Sequence, residues 1–176
     1  WSGIVVDSSI ENINEIKNSY YFWKKKINAL QCFVNTENIS SLLSKYSSKK
    51  IGLLSIDIDG NDYWILKKII DSGFTSDLII CEYNSLLGSE KSLSKKYTPN
   101  FARNSKNLIN YGASIRAFYN LLNKEYKMVY GNKVGNNIFF LNKKFEEIRK
   151  KDIKDCYHEC SFDETLSTNS KKKTFK

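Results

Sequence analysis

The chain holds one histidine, His158, and one proline, Pro99, in 176 residues. That lone imidazole sits in a charged C-terminal stretch. A Ser-His-Asp or Cys-His nucleophile therefore has no base to draw on, and hydrolases of those kinds are excluded. Glycine-rich phosphate loops are missing as well: neither GxGxxG nor GxxxxGK followed by Ser or Thr occurs. No apolar run approaches the roughly 20 residues that a membrane helix needs, so no membrane insertion is expected. Trp1 to Asp7 is a strand-like run without a basic leader, which argues against a signal peptide and for a cytoplasmic protein. The chain opens on Trp rather than Met, as expected of a piece from inside a larger product.

Arginine is scarce, with only Arg103, Arg116 and Arg149, although the net charge is +9. Arginine is the preferred reader of base edges, and the lysines are spread over polar faces, with a cluster at Lys171-Lys172-Lys173. A solvated lysine-rich surface is expected, with no nucleic acid as partner. Four cysteines make no disulfide framework in a chain of this size. Cys32 and Cys81 lie in apolar runs, where a thiol acts as a small core residue. Cys156 and Cys160 flank His158, but no second pair stands at zinc-ligand spacing, and no metal is expected there.

What is present is an alternation of strands and helices. The pattern predicts strands at Gly3–Val6, Ala29–Val34, Ile51–Ile56 and Leu78–Tyr83. It predicts helices from Ser8 or Ser9 through Trp23, from a Thr36 cap through Tyr46, from Asp62 to Ser72, and from Ala113 to Leu122. Tyr126–Tyr130 and Asn137–Leu141 read as a hairpin. Asn84 to Tyr111 is a long polar loop, and loops of that length in compact domains are usually functional. The expected organisation is one α/β domain over residues 1–145 and a charged, partly disordered tail over residues 146–176. A mostly parallel sheet with an antiparallel C-terminal hairpin is expected from the alternation.

The richest chemistry lies in Leu53 to Ile70, LLSIDIDGNDYWILKKII. A strand breaks into Asp57, Asp59, Gly60 and Asp62 before a helix, and the next strand ends near Glu82. Open α/β sheets bind ligands at the carboxyl ends of their strands. If the two strands are neighbours, several carboxylates converge on one crevice. Such a cluster can bind a cation, hold a ribose, or supply a base of raised pKa. The alternative is local: Asp62 as a helix cap, and Asp59 or Asn61 turning the chain with Gly60. A calcium-loop reading fails, because the glycine comes two residues early and Lys68 replaces the bidentate Glu. Asp7 ends a strand where nucleotide-binding folds place a ribose-binding acid, and its alternative is again capping. Asn35 could touch an adenine edge.

LLSIDIDGNDYWILKKI followed by IICEYN resembles the FkbM-type branch of S-adenosylmethionine-dependent methyltransferases. WSGIVVDSS looks like that family's second strand, and YGASIRAFYNLLNKEYKMVYGNKVGNNIFFLN like its closing helix and hairpin. The likeness covers most of residues 1–142. It implies a Rossmann-like three-layer sandwich and S-adenosylmethionine as cofactor. Asp7 would hold the cofactor ribose, and Asn35 or Glu37 would border the adenine. Asp57 and Asp59 would face the methionine part and the acceptor, with Glu82 as base or positioner. No metal is implied. The acceptor would be a hydroxyl of a glycan, lipid or small metabolite. The family's first, central strand and its glycine-rich loop should precede WSGI and are absent from this sequence. Two rival readings remain: a glycosyltransferase using Asp57 and Asp59 as a metal-binding DxD, and a non-catalytic module binding anionic partners through its lysines.

Overall fold

The protein, described by a computed structural model for residues 2–46, 50–101, 103 and 110–160, is an α/β fold with two separate sheets. The elements in chain order are β1 (Ser2–Asp7), α1 (Ile10–Asn18), α2 (Tyr20–Lys24), β2 (Lys26–Gln31), α3 (Ile39–Tyr46), β3 (Lys50–Ile56), α4 (Asp62–Asp71), β4 (Thr75–Glu82), a 3-10 turn (Ser85–Leu87), α5 (Ile115–Leu122), β5 (Tyr126–Gly131), β6 (Asn137–Asn142) and α6 (Ile153–Cys156). No helix among the described residues is long and apolar enough to cross a membrane.

The single, mostly parallel sheet of a three-layer sandwich is not what forms. β1 and β2 pair in parallel as a sheet of their own, from Ser2 opposite Lys26 to Asp7 opposite Gln31. The larger sheet has the order β3-β4-β6-β5 and is mixed. β3 and β4 are parallel, while β6 runs antiparallel to both β4 and β5. The cause is the hairpin. β6 must oppose β5, and because β6 rather than β5 lies beside β4, it opposes β4 too. Asn132 closes that hairpin: its Oδ1 accepts the N–H groups of Gly135, Asn136 and Asn137 at 2.9–3.2 Å.

Three local expectations shift. The helix foreseen from Ser8 or Ser9 to Trp23 is broken at Ser19, whose hydroxyl donates to the Ile16 carbonyl at 2.7 Å and accepts the Phe22 N–H at 3.3 Å. Serine competes for backbone groups in this way, which ends α1 and caps α2. The second strand lies at Lys26–Gln31, three residues ahead of Ala29–Val34, so Asn35 does not end it. Thr36 is no cap either. The Asn35 side chain accepts from the N–H groups of Glu37 and Asn38, and Asn38 returns the contact to the Asn35 N–H, all at 2.9 Å.

One apolar core joins the large sheet to its helices. α4 buries Ile65, Leu66 and Ile69, α5 buries Ile115, Ala117, Phe118 and Leu122, and the sheet contributes Ile79, Cys81, Met128, Ile138 and Phe140. Each fully buried Leu, Ile or Phe contributes about 1.5–3 kcal/mol. α3 brings Ile39 and Leu43 to the same core, and Ser40 Oγ lies 2.7 Å from Ser72 Oγ at the end of α4. The start of the charged C-terminal segment also belongs to the fold. Ile153 and Cys156 of α6 are buried, and the Tyr83 hydroxyl donates to the His158 carbonyl (3.0 Å) and accepts the His158 N–H (3.1 Å). The rest of the tail expected over residues 146–176, from residue 161 on, lies outside the described residues.

Candidate functional site

Parallel pairing of β3 and β4 sets Ile56 opposite Cys81, so Asp57 and Glu82 leave the sheet as neighbours. Asp62, the first residue of α4, is drawn back toward them. Its carboxylate accepts the Ile58 N–H at 2.9 Å and the Gly60 N–H at 2.8 Å. Asp59 makes that turn possible by adopting φ of 57°, a left-handed conformation that a short polar residue tolerates. One oxygen from each of Asp57, Asp62 and Glu82 then lies within 4.8 Å of the others. Asp57 faces solvent, whereas Asp62 is fully buried and Glu82 is 7% exposed.

The long loop packs onto this turn. Asn61 Nδ2 donates to the Thr98 carbonyl (2.9 Å), Trp64 Nε1 to the Lys95 carbonyl (2.8 Å), and the Gly112 N–H to the Gly60 carbonyl (3.0 Å). Gly60 has no room for a Cβ, because the Phe101 ring fills that space. Arg103 reaches Asp59 at 3.3 Å while its guanidinium stacks 3.9 Å above the Tyr111 ring. The Thr36 N–H donates to the Tyr97 hydroxyl at 3.4 Å, tying the loop to the segment between the two sheets. Residues 102 and 104–109 of the loop lie outside the described residues.

Crowded carboxylates in a dry place resist ionisation. Burial, then Asp57, Asp62 and Asp59, pushes the Glu82 carboxyl up to about 8, with Arg103 pulling the other way. Burial raises Asp57 too, helped by Asp59 and opposed by Arg103. Burial also raises Asp62 against the downward pull of its backbone N–H bonds. The Tyr111 hydroxyl is pushed up to about 12, by burial first and Glu82 second. Glu82 Oε2 is buried without a hydrogen-bond partner. Such an atom marks a place where a ligand can supply what the protein does not.

The expected site residues thus separate into groups. Asp57 and Glu82 come together, joined by Asp62, which does not cap α4: the cap position is Asn61, and the Asp62 carboxylate reaches back to the Ile58 and Gly60 N–H groups instead. Asp59 turns outward to Arg103, with 62% of its side chain exposed. Asp7, Asn35 and Glu37 belong to the far side of the crossover from β2. Asp7 Oδ1 accepts the Ser9 N–H at 2.7 Å and Oδ2 accepts from Asn12 Nδ2 at 3.0 Å, so its carboxylate is already spent on bracing Ser9, the residue that caps α1. Asn35 is taken up in its own turn, and Glu37 is exposed. Replacing Asp7 with alanine is expected to destabilise the fold by about 1 kcal/mol through those contacts, read as a small fall in the thermal midpoint. Arg103 and Tyr111 escaped the sequence reading, whose only pointer to them was the length of their loop.

Cys156, His158 and Cys160 serve packing and main-chain contacts: Cys156 is buried, and the Cys160 N–H donates to Ser85 Oγ at 2.9 Å. A groove lined by Glu90, Arg116, Tyr119, Asp152, Ile153 and Lys154 holds no buried polar atom lacking a partner. The three carboxylates are the candidate site. No protein-family model, no curated protein and no solved structure matches this chain.

Proposed function

We propose that this chain is a methyltransferase domain that uses S-adenosylmethionine to methylate a hydroxyl of a glycan, lipid or small metabolite. The supporting observation is the meeting of Asp57 and Glu82 at the carboxyl ends of neighbouring parallel strands, next to the turn on which Lys95, Thr98 and Arg103 pack. The resemblance of LLSIDIDGNDYWILKKI and IICEYN to FkbM-type enzymes points the same way. Among the described residues β1 pairs only with β2 and β3 only with β4, and Val5 and Leu53 on these strands are exposed. A central strand parallel to both would join the sheets.

The donor set fits the cofactor in part. Asp57 and Asp59 keep carboxylate surface open to solvent, suited to an ammonium group. Asp7 retains lone pairs for ribose hydroxyls only beside its contacts with Ser9 and Asn12. S-adenosylmethionine, when bound, supplies an electrophilic methyl on sulfur. The residues of this chain would orient the acceptor oxygen and exclude water, and such positioning provides much of the rate in transfers of this kind. On this reading Glu82 would receive the acceptor proton, and Asp59 could do so only by leaving its contact with Arg103.

Calorimetric titration of S-adenosylmethionine into the protein tests the reading. Micromolar binding that falls at least tenfold in Asp57→Ala is the expected outcome. No binding, with uptake of a manganese–nucleotide sugar instead, would overturn it in favour of a glycosyltransferase.

A further inference from the structure

We infer that Asp57, Asp62 and Glu82 form a binding site for one hard divalent cation, Mg2+ or Mn2+ in kind. Three observations converge on it. First, the three carboxylates come from separate elements, the end of β3, the first turn of α4 and the end of β4, and still bring one oxygen each within 4.8 Å of the others. Oxygens around a cation bonded at about 2.0–2.6 Å lie about 3–5 Å apart, so this spacing leaves room for an ion at the centre.

Second, Glu82 is 7% exposed, and its Oε2 has no hydrogen-bond partner. A buried carboxylate oxygen without a partner carries a large desolvation penalty, which a metal ion relieves. Third, among the described residues no ion pair involves any of the three; the nearby Arg103 is spent on Asp59.

The ligand chemistry selects the class of ion. All three donors are carboxylate oxygens, with no thiol or imidazole among them, which suits Mg2+, Mn2+ or Ca2+ rather than Zn2+. Asp62 is held in place by the Ile58 and Gly60 N–H groups, the kind of outer support that fixes a ligating carboxylate. Asp57 opens the site to solvent, leaving positions on the ion for water or a ligand oxygen. If the methyltransferase reading holds, the acceptor hydroxyl is the oxygen that would occupy one of them, and this last step rests on that reading. The ion site itself does not.

The ligand set also differs from a DxD pair. Asp59 faces Arg103 and lies outside the triad.

The test is direct titration of Mn2+ into the chelator-treated protein, followed by electron paramagnetic resonance and calorimetry, without cofactor. One ion per chain is expected. Its affinity should fall about tenfold or more in Glu82→Gln, with the far-ultraviolet circular dichroism unchanged, and about threefold at most in Asp59→Asn. Absence of Mn2+, Mg2+ and Ca2+ binding by the folded protein overturns the inference, as does binding indifferent to Glu82→Gln. A large loss in Asp59→Asn with none in Glu82→Gln replaces the triad with the DxD pair. Metal binding without S-adenosylmethionine binding sinks the proposed function alone; the reverse sinks the cation site alone.

Discussion

In metal-free buffer at about pH 9, Glu82→Gln is expected to melt at a higher temperature than the native chain, and at about pH 4.5 the two should melt together. Glutamine keeps the shape of a protonated glutamate and cannot ionise. In the folded protein the Glu82 carboxyl titrates at about 8, against 4.5 for an ordinary glutamate. The folded state therefore holds the proton more tightly than the unfolded chain. Stability from that proton is fully present below about 4.5 and is lost as pH rises through about 8. Burial is the first cause of the shift, Asp57, Asp62 and Asp59 add to it electrostatically, Arg103 opposes it, and Tyr111 is pushed up in turn by Glu82.

The predicted advantage of the variant at high pH is about 2–4 kcal/mol, or about 5–10 °C in a chain of this length. Asp57 and Asp62 are raised as well, chiefly by burial, and each adds to the loss of stability in the native chain as pH rises. Thermal melts from acid to alkaline pH check the whole pattern. A variant no more stable than the native chain at about pH 9 would show that Glu82 ionises freely. Adding Mn2+ should reverse the ranking at high pH, because only the native chain then has its buried charge neutralised.

The contrast between what could and could not be read from the residues tracks the range of the interactions. Asp57 and Glu82 were legible because apolar runs announce buried strands and acids announce where they end. Asp62 was legible as one of the acids around Gly60, but the capping alternative was not what formed, because its carboxylate binds the Ile58 and Gly60 N–H groups ahead of the helix. Ser19 was hidden, because the three- and four-residue spacing of apolar side chains continues across the break between α1 and α2. The position of β2 was hidden in a different way. Ala29 to Val34 is the more apolar run, but parallel pairing with β1 selects Lys26–Gln31, and the turn from Asn35 to Asn38 fixes the chain beyond it.

The separation into two sheets depends on which edges find partners, and no local pattern encodes that. Arg103 is a similar case. It meets Asp59 across 44 positions of sequence, a contact that only the folded loop creates.

Gly131→Ala is expected to destabilise the protein by about 2–4 kcal/mol, and to do so almost entirely through the C-terminal segment. Gly131 ends β5 with an ordinary backbone conformation, so alanine brings no φ strain there. A Cβ at this position would instead be driven into the Cys156 carbonyl, and main chain on both sides leaves little room to yield. Relief requires α6 to lift from β5. That would expose Ile153 and Cys156 and pull on His158, which is bound through both its N–H and its carbonyl to the Tyr83 hydroxyl. Tyr83 directly follows Glu82, and the Tyr157 hydroxyl also donates to the Ser85 carbonyl at 2.9 Å. The strain should therefore reach the carboxylate site and weaken Mn2+ binding without touching a ligand. Denaturant unfolding of Gly131→Ala in the full chain and in a chain ending at Lys151 separates the causes. The penalty should be large in the first and under about 1 kcal/mol in the second, since the truncated chain has nothing left for the methyl group to strike. A penalty of equal size in both would place the cost in the hairpin and remove the C-terminal segment from the support of the site.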